Sequence, residues 1–325
     1  MTSLDDLSIL LLWTAIAIYA GAFVVYAFDL ARRSSAMEVT ADARVLVAAG
    51  SAGGGDADAS SASTPRTPAK PRFVLARVGT ALTVLGWLFH LGATLTRGIA
   101  AGRVPWANLY EFAMIGTLLI VLVYLVVLTR IDLRYLGTFI TGLVVVLLGA
   151  AAANFYVIVT PLVDPLKSVW LIIHVFVASL STALLALAFA LSVMQLLQTR
   201  RERRIAEDAA KPGPRFLATL PDATRLENLA YRFAVVGFIF WTFTLIAGAI
   251  WAQDAWGRYW GFDVKETWTF IIWVLYAGYI HARATRGWRG TPSAWLSITG
   301  FTAVIFNFAI VNVFFKGLHA YSGLS

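Results

Sequence analysis

The sequence predicts an all-α, polytopic integral membrane protein with about eight transmembrane helices. Of its 325 residues, 59% are hydrophobic and only 14% are charged, whereas soluble domains carry about 25% charged residues. The mean hydropathy is +0.74. The apolar residues are gathered in long runs, and a helix needs about 20 such residues to cross the hydrocarbon core of a bilayer.

Eight apolar runs are long enough to cross a membrane. They lie at about 7–28, 74–96, 110–129, 133–153, 169–197, 229–251, 264–284 and 294–315. Residues 31–72 are rich in Ala, Gly, Ser and Pro, lack apolar periodicity, and are predicted to form a disordered cytoplasmic linker. The chain is therefore expected to divide into an N-terminal transmembrane helix (1–30), this linker and a membrane domain (73–325).

The Lys and Arg residues predict how the helices are oriented. If the N-terminus is outside, 20 of the 26 Lys and Arg residues fall on the cytoplasmic side and 6 on the outer side, and such a bias is typical of cytoplasmic loops. Both termini are then expected on the outer face. Because the basic residues lie in loops between apolar spans, the net charge of +8 does not indicate nucleic-acid binding, and membrane lipid is the expected surrounding.

An aromatic and charged loop, WAQDAWGRYWGFDVKETW at 251–268, separates two apolar spans. Trp and Tyr favour the membrane–water boundary because their rings are apolar while their N–H and O–H groups need polar partners. An ordinary interfacial belt would be spread over all spans. The gathering of Trp251, Trp256, Trp260 and Trp268 in one loop predicts a shelf for a ligand on the outer face.

Four histidines lie in or beside apolar spans. Any one of them alone is as well explained by hydrogen bonding between helices. However, His174 and His319 are expected at the level of the shelf, whereas His90 and His281 lie deeper in the second and seventh spans. Two pairs at two depths predict two sites in which imidazoles ligate a flat iron cofactor such as heme.

Two capping boxes are predicted where spans begin, at Asn108 with Glu111 and at Asp263 with Glu266. In this motif the first side chain accepts from a free helical N–H and the Glu reaches back. Capping and direct function are equally good interpretations of these four residues. Arg258 and Lys265 either pair with carboxylates of a ligand or face water.

Several segments together resemble one protein family. The run GAIWAQDAWGRYWGFDVKETW resembles the tryptophan-rich "WWD" signature of heme-handling proteins in cytochrome c maturation. The segments HLGATLTRGIAAGRVPWANLYEF, LKSVWLIIHVFVASLS, WVLYAGYIHAR and FKGLHAYSG are similar to elements of one branch, the CcsA/ResC family of system II cytochrome c biogenesis. The resemblance begins near residue 73. The sequence departs from the family pattern at Phe262, Val264 and Ala320, where Trp, Pro and Ser are usual.

The resemblance implies a membrane subunit of the system II cytochrome c synthase in a bacterial plasma membrane. It implies that heme b is moved to the outer face and presented for thioether attachment to the CxxCH motif of apocytochrome c, with a ResB-type partner. His174 and His319 are the implied outer heme ligands and, with Asp263, the implied catalytic residues. His281 and His90 are the implied inner ligands. The residues implied to contact heme are Trp251, Trp256, Tyr259, Trp260, Phe262, Trp268, Arg258, Asn108 and Glu111.

The chain has no cysteine, so the thiols must come from the apocytochrome and be kept reduced by other proteins. Two other classes remain open at this stage. A cytochrome b-type electron-transfer subunit with two bis-histidine hemes would explain the histidines but not the external tryptophans. A heme exporter without ligation activity would explain the membrane spans but not an external histidine pair. Whether the chain is itself an enzyme is also open.

Overall fold

The computed structural model describes residues 3–51, 74–159, 167–207, 213–285, 287–315 and 317–318. The helices are α1 (Leu4–Ser51), α2 (Val74–Ala101), α3 (Leu109–Leu128), α4 (Gly137–Asn154), α5 (Val169–Ala206), α6 (Ala223–Trp256), α7 (Val264–Thr285), α8 (Thr291–Ile305) and a last turn, α9 (Asn312–Phe314). Short 3₁₀ turns precede α4 and α6, and these ranges contain no strand. The prediction of an all-α membrane protein is confirmed.

Seven helices within the described ranges are long and apolar enough to cross a membrane. The predicted seventh span also forms a helix, α7, with 22 residues, but it is not among those seven. Its hydropathy is lowered because polar and charged side chains, including Lys265, Glu266 and Arg283, lie in its first and last turns.

Helix α1 is longer than the sequence analysis predicted. Its backbone remains helical to Ser51, so residues 31–51 are helical where a disordered linker was expected. This stretch contains several Ala residues with Met, Glu and Arg, which are strong helix formers. Residues 52–73, the remainder of the predicted linker, lie outside the described residues.

Helix α5 lies at the centre of the bundle. It packs along α6 and also contacts α3 and α8, while α1 packs along α2 and against α4. One apolar cluster joins α1, α3, α4 and α5 around Leu136, Ile140 and Leu187, which are fully buried. A second cluster joins α5 and α6 to α7 and α8 around Trp241, Ile272 and Phe301.

Polar contacts gather at one end of the bundle, which we call the aromatic-loop end. Here Arg97, at the end of α2, binds Asp5 at 2.6 Å, Glu111 at 3.0 Å and the carbonyl of Val157 at 2.6 Å. The start of α1, the end of α2, the start of α3 and the segment after α4 therefore meet at this end.

A second set of polar contacts marks the opposite end. Glu227, near the start of α6, accepts from Arg283 of α7 at 3.1 Å and from the backbone N–H of Gly290 at 2.8 Å. Gln195 of α5 also donates to the carbonyl of Gly290 at 2.9 Å. The helix ends thus alternate between the two ends of the bundle as the predicted topology requires.

Candidate functional site

The aromatic loop begins where α6 stops. Gly257 takes the left-handed conformation with φ 68° and its N–H donates to the carbonyl of Gln253 at 2.9 Å, so it caps the helix. Phe262 also has a positive φ, of 57°, which is unusual for a residue with a side chain. It is 81% exposed. The loop thus holds an aromatic ring out from the bundle in a conformation that costs about 1–3 kcal/mol.

Glu266 fixes the other end of the loop. Its carboxylate accepts from the backbone N–H of Gly261 at 2.8 Å and from that of Asp263 at 3.1 Å. The second contact is the reach-back half of the predicted capping box. Arg258 donates to the same carboxylate at 3.3 Å and lies 5.9 Å from the ring of Trp256. The charge of Arg258 is thus balanced within the loop, and this weakens the prediction that Arg258 pairs with a carboxylate of the ligand.

His174 of α5 faces α6 at the aromatic-loop end. Its Nδ1 lies 3.0 Å from the carbonyl of Thr244, and its ring stacks on Trp251 with centroids 5.9 Å apart and planes at 18°. A carbonyl partner requires a proton on Nδ1, so the neutral ring is the tautomer that carries its lone pair on Nε2. Metal-ligating histidines show this arrangement, with one ring nitrogen anchored by an acceptor.

A cavity of about 70 Å³ lies beside His174. Its lining includes Trp251, Tyr259, Trp260 and Lys265. It is smaller than the roughly 300–1,000 Å³ of pockets that enclose small ligands, so it admits only one edge of a macrocycle. Tyr259 is 61% exposed at its mouth. The residues fit heme as an open shelf formed by the imidazole and by the accessible rings of Tyr259 and Trp260, with the buried Trp251 behind the imidazole, and not as a closed pocket.

The other predicted aromatic residues lie around this cavity at different distances. Trp256 packs edge-on against Trp251 with centroids 4.8 Å apart and so supports it from behind. Phe262 packs edge-on against Trp260 at 6.2 Å. Trp268 instead packs on Phe306 at 4.3 Å, in the core between α7 and the C-terminal helix. The structure therefore brings Trp251, Tyr259 and Trp260 to His174 but places Trp268 elsewhere.

Asp263 connects the loop to the C-terminal segment. Its Oδ1 accepts from the backbone N–H of Leu318 at 3.2 Å. A Cβ added to Gly317 would lie only 2.2 Å from the same oxygen, so this approach requires glycine. The residue that follows Leu318 in sequence is His319, the second predicted outer ligand, which lies outside the described residues. Asp263 thus holds the chain that leads into His319.

Asn108 and Glu111 form a buried polar cluster and do not line the cavity. The Asn108 side chain accepts from the N–H of Glu111 at 2.9 Å, as predicted for a capping box. Glu111 is fully buried and binds Arg97 at 3.0 Å and Arg103 at 2.7 Å. Of this segment, Trp106 lies nearest the shelf, because it packs in the apolar cluster around Trp251. The local spacing predicted the cap, but it gave no sign that Glu111 would also pair with Arg97 and Arg103, because the loop between α2 and α3 brings these residues together.

The structure does not bring His90 and His281 together. His90 is fully buried, and its Nδ1 lies 3.5 Å from the hydroxyl of Tyr19 of α1. His281 is exposed on α7. Helix α2 packs chiefly against α1 and α3, whereas α7 packs chiefly against α8 and α6. The pairing was predicted from the depth of each histidine along its helix. Depth gives no information on which helices are neighbours, and α2 and α7 are not neighbours here.

A larger cavity of about 220 Å³ opens between α3, α4 and the C-terminal helix. Its walls are apolar and include Phe112, Leu147 and Phe308. It contains no histidine or charged side chain, so it offers nothing that could ligate a metal. The candidate site is therefore the smaller cavity.

One feature of the site was missed at the sequence level, and another was left open. Gly248 of α6 lies against His174, where an added Cβ would come within 2.8 Å of the imidazole. Lys265 lines the cavity, although facing water was an equally good interpretation of its sequence position. Spacing along one helix gives no signal for either contact, because each depends on a neighbouring helix.

The fold and site define a helical, multi-pass membrane protein with an aromatic, histidine-bearing shelf at one end of the bundle. A family described as cytochrome C assembly protein matches residues 106–319. The cytochrome c biogenesis protein CcsA of Guillardia theta is 35% identical over 246 residues, covering 71% of this chain and 80% of that protein. CcsA of Trichormus variabilis is 32% identical over 311 residues, covering 76% and 88%.

A solved structure, the cytochrome c heme lyase CcmF, has a similar fold. Its TM-score is 0.61 at 17% identity. The match covers 95% of this chain and 47% of that chain, so this chain spans about half the length of CcmF. The chain belongs to the CcsA family of cytochrome c biogenesis proteins. It is a membrane protein of cytochrome c biogenesis.

Proposed function

We propose that this chain is the heme-presenting membrane subunit of a system II cytochrome c synthase. The observation that carries the proposal is the geometry of His174, which is anchored through Nδ1 to Thr244 at 3.0 Å and stacked on Trp251. An imidazole held in this way beside exposed aromatic rings suits an iron macrocycle that must stay accessible to a second protein. Heme b, when bound, supplies an iron that accepts imidazole and vinyl carbons that accept thiols.

The residues of the chain act mainly by positioning. Trp260 offers an apolar face, the buried Trp251 supports the imidazole of His174, and His174 offers a ligand on one side. Asp263 holds the segment that leads to His319. Orienting reactants in this way can lower a reaction barrier by about 7–11 kcal/mol. Because the chain has no cysteine, the two thiols belong to apocytochrome c.

The open cavity also favours a partner. Tyr259 and Phe262 are 61% and 81% exposed, and rings of this kind at a rim are typical of protein contacts. We assign this contact to a ResB-type protein and to apocytochrome c, at the outer face of a plasma membrane. Reductants of the apocytochrome thiols then act on the substrate and do not need to touch this chain.

The deeper histidines are separate candidates. His281 is exposed on α7 and is the better candidate to ligate heme that approaches from within the membrane, since His90 is enclosed. A His281→Gly variant should contain less heme and recover it with added imidazole. Unchanged heme content in this variant would remove His281 from the ligands. A bis-histidine cytochrome b is disfavoured because the structure keeps His90 and His281 apart.

The test of the proposed function is co-expression with a ResB-type partner and an apocytochrome. Wild type should give covalent holocytochrome, and His174→Gly should give at least tenfold less, with partial recovery on addition of imidazole. Normal maturation by His174→Gly would refute the assignment of His174. Heme release without covalent attachment, in the presence of the partner, would favour an exporter instead.

A further inference from the structure

Lys265 places a positive charge on the wall of the shelf cavity. It is the second residue of α7, is partly buried, and lines the same cavity as His174, Trp260 and Thr269. Its Nζ donates a hydrogen bond to Oδ1 of Asn312. An ammonium group has three donors, and this contact uses one of them.

Among the described residues, no acid forms a direct ion pair with Lys265. Glu266 is bound to Arg258 at 3.3 Å and to two backbone N–H groups. Asp263 attracts Lys265 only at longer range, and its Oδ1 accepts from Leu318. Within the part of the chain that the structure describes, no carboxylate oxygen lies within 4.0 Å of Nζ of Lys265.

The neighbour of Lys265 is itself held in place. The Nδ2 of Asn312 donates to the carbonyl of Phe308 at 2.7 Å, which turns Oδ1 toward the lysine. Phe308, which accepts this hydrogen bond, lies in the π-helical turn Phe306–Val311, and such turns are frequent at functional sites. Lys265 is thus oriented by a neutral group, and no carboxylate of the described residues lies at hydrogen-bonding distance from it.

We propose that Lys265 binds a carboxylate of the ligand that His174 ligates, which makes it the anchor for a heme propionate. This inference rests on the proposed function and adds the orientation of the ligand. A buried or partly buried ammonium is stabilised most by a carboxylate, and the propionates are the only carboxylates of heme. Since the vinyl groups are on the opposite edge of the macrocycle, anchoring the propionates directs the vinyl edge away from Lys265.

The test alters the ligand and the protein together. Purified wild type, Lys265→Met and Lys265→Arg, each freed of heme, are titrated with ferric protoheme and with its dimethyl ester, and binding is followed by the Soret band. Wild type should bind the diacid about tenfold more tightly than the diester, the effect of one charge-assisted hydrogen bond. Lys265→Met should bind both at the affinity of the diester, and Lys265→Arg should keep the preference.

The control is Arg289→Met, because Arg289 is an exposed cation at the opposite end of the bundle, and this variant should keep the wild-type preference. An undiminished preference for the diacid in Lys265→Met would overturn the inference while leaving the proposed function intact. Equal losses of diacid and diester binding in Lys265→Met would also overturn it, because a merely structural role has that effect. Failure of wild type to bind either ligand would refute the proposed function itself.

Discussion

His174 is constrained on three sides by α6. Thr244 accepts from its ring, Trp251 stacks on it, and Gly248 leaves just enough space for it. Each contact fixes a different degree of freedom, namely the tautomer, the plane of the ring and its distance from α6. A histidine side chain held in this way loses little conformational entropy when it binds a metal, and this preorganisation favours tight binding.

The contact with Gly248 gives a sharp test of this arrangement. A Cβ at position 248 would lie 2.8 Å from the imidazole, so Gly248→Ala should displace the ring and weaken heme retention about 3- to 10-fold. This corresponds to about 0.5–1.5 kcal/mol, the usual cost of an off-rotamer side chain. Heme content per protein, measured by the Soret band, gives the result.

Gly278→Ala is the matched control, since it also places Ala in a helix but meets nothing within 4 Å. This variant should retain wild-type heme content. If Gly248→Ala retained as much heme as Gly278→Ala, the position of the imidazole in this structure would not be the one that holds heme.

At the scale of elements, buried ion pairs determine how the helices meet at the aromatic-loop end. Glu111 compensates two buried guanidinium groups, those of Arg97 and Arg103, and its N–H is bound by Asn108. The loop that carries Trp106 to the apolar cluster around Trp251 is therefore held by ion pairs and by a helix cap together. A buried charge without a partner is strongly destabilising, because its desolvation is no longer offset.

Glu111→Gln should therefore destabilise the protein by about 3–5 kcal/mol. The measurement is the unfolding transition of the purified protein in detergent. Asp132→Asn is the control, because Asp132 pairs with Arg134 at 2.7 Å but is 57% exposed, and exposed pairs contribute only about 0–1 kcal/mol. Wild-type stability of Glu111→Gln combined with loss of heme would instead support the direct ligand contact that the sequence suggested.

The same cluster shows where prediction from sequence reaches its limit. Hydropathy predicted a helix in all eight places, and the capping contacts of Asn108 and Glu266 followed from local spacing. The partners of Glu111 and the separation of His90 from His281 depend on which helices pack together. That choice rests on side-chain fit across the bundle, which apolar composition does not encode.

At the scale of the whole molecule, the bundle has two polar ends with different chemistry. The aromatic-loop end holds His174 and the Glu266 cap, and the opposite end holds Glu227 with Arg283. Local sequence was sufficient to predict which residues share an end, because each span reverses the chain. Which end faces the cytoplasm is a separate question that rests on the distribution of Lys and Arg.

The absence of cysteine from the chain makes the orientation directly measurable. Single cysteines are introduced at the exposed positions Val104 and Phe262 of the aromatic-loop end and at Trp288 and Arg289 of the opposite end. A membrane-impermeant maleimide should label the first two in intact cells and the last two only after permeabilisation. The physical reason is that 20 of 26 basic residues would otherwise lie outside, against the usual bias. Labelling of Trp288→Cys but not Phe262→Cys in intact cells would place the shelf in the cytoplasm, where an external apocytochrome could not reach it.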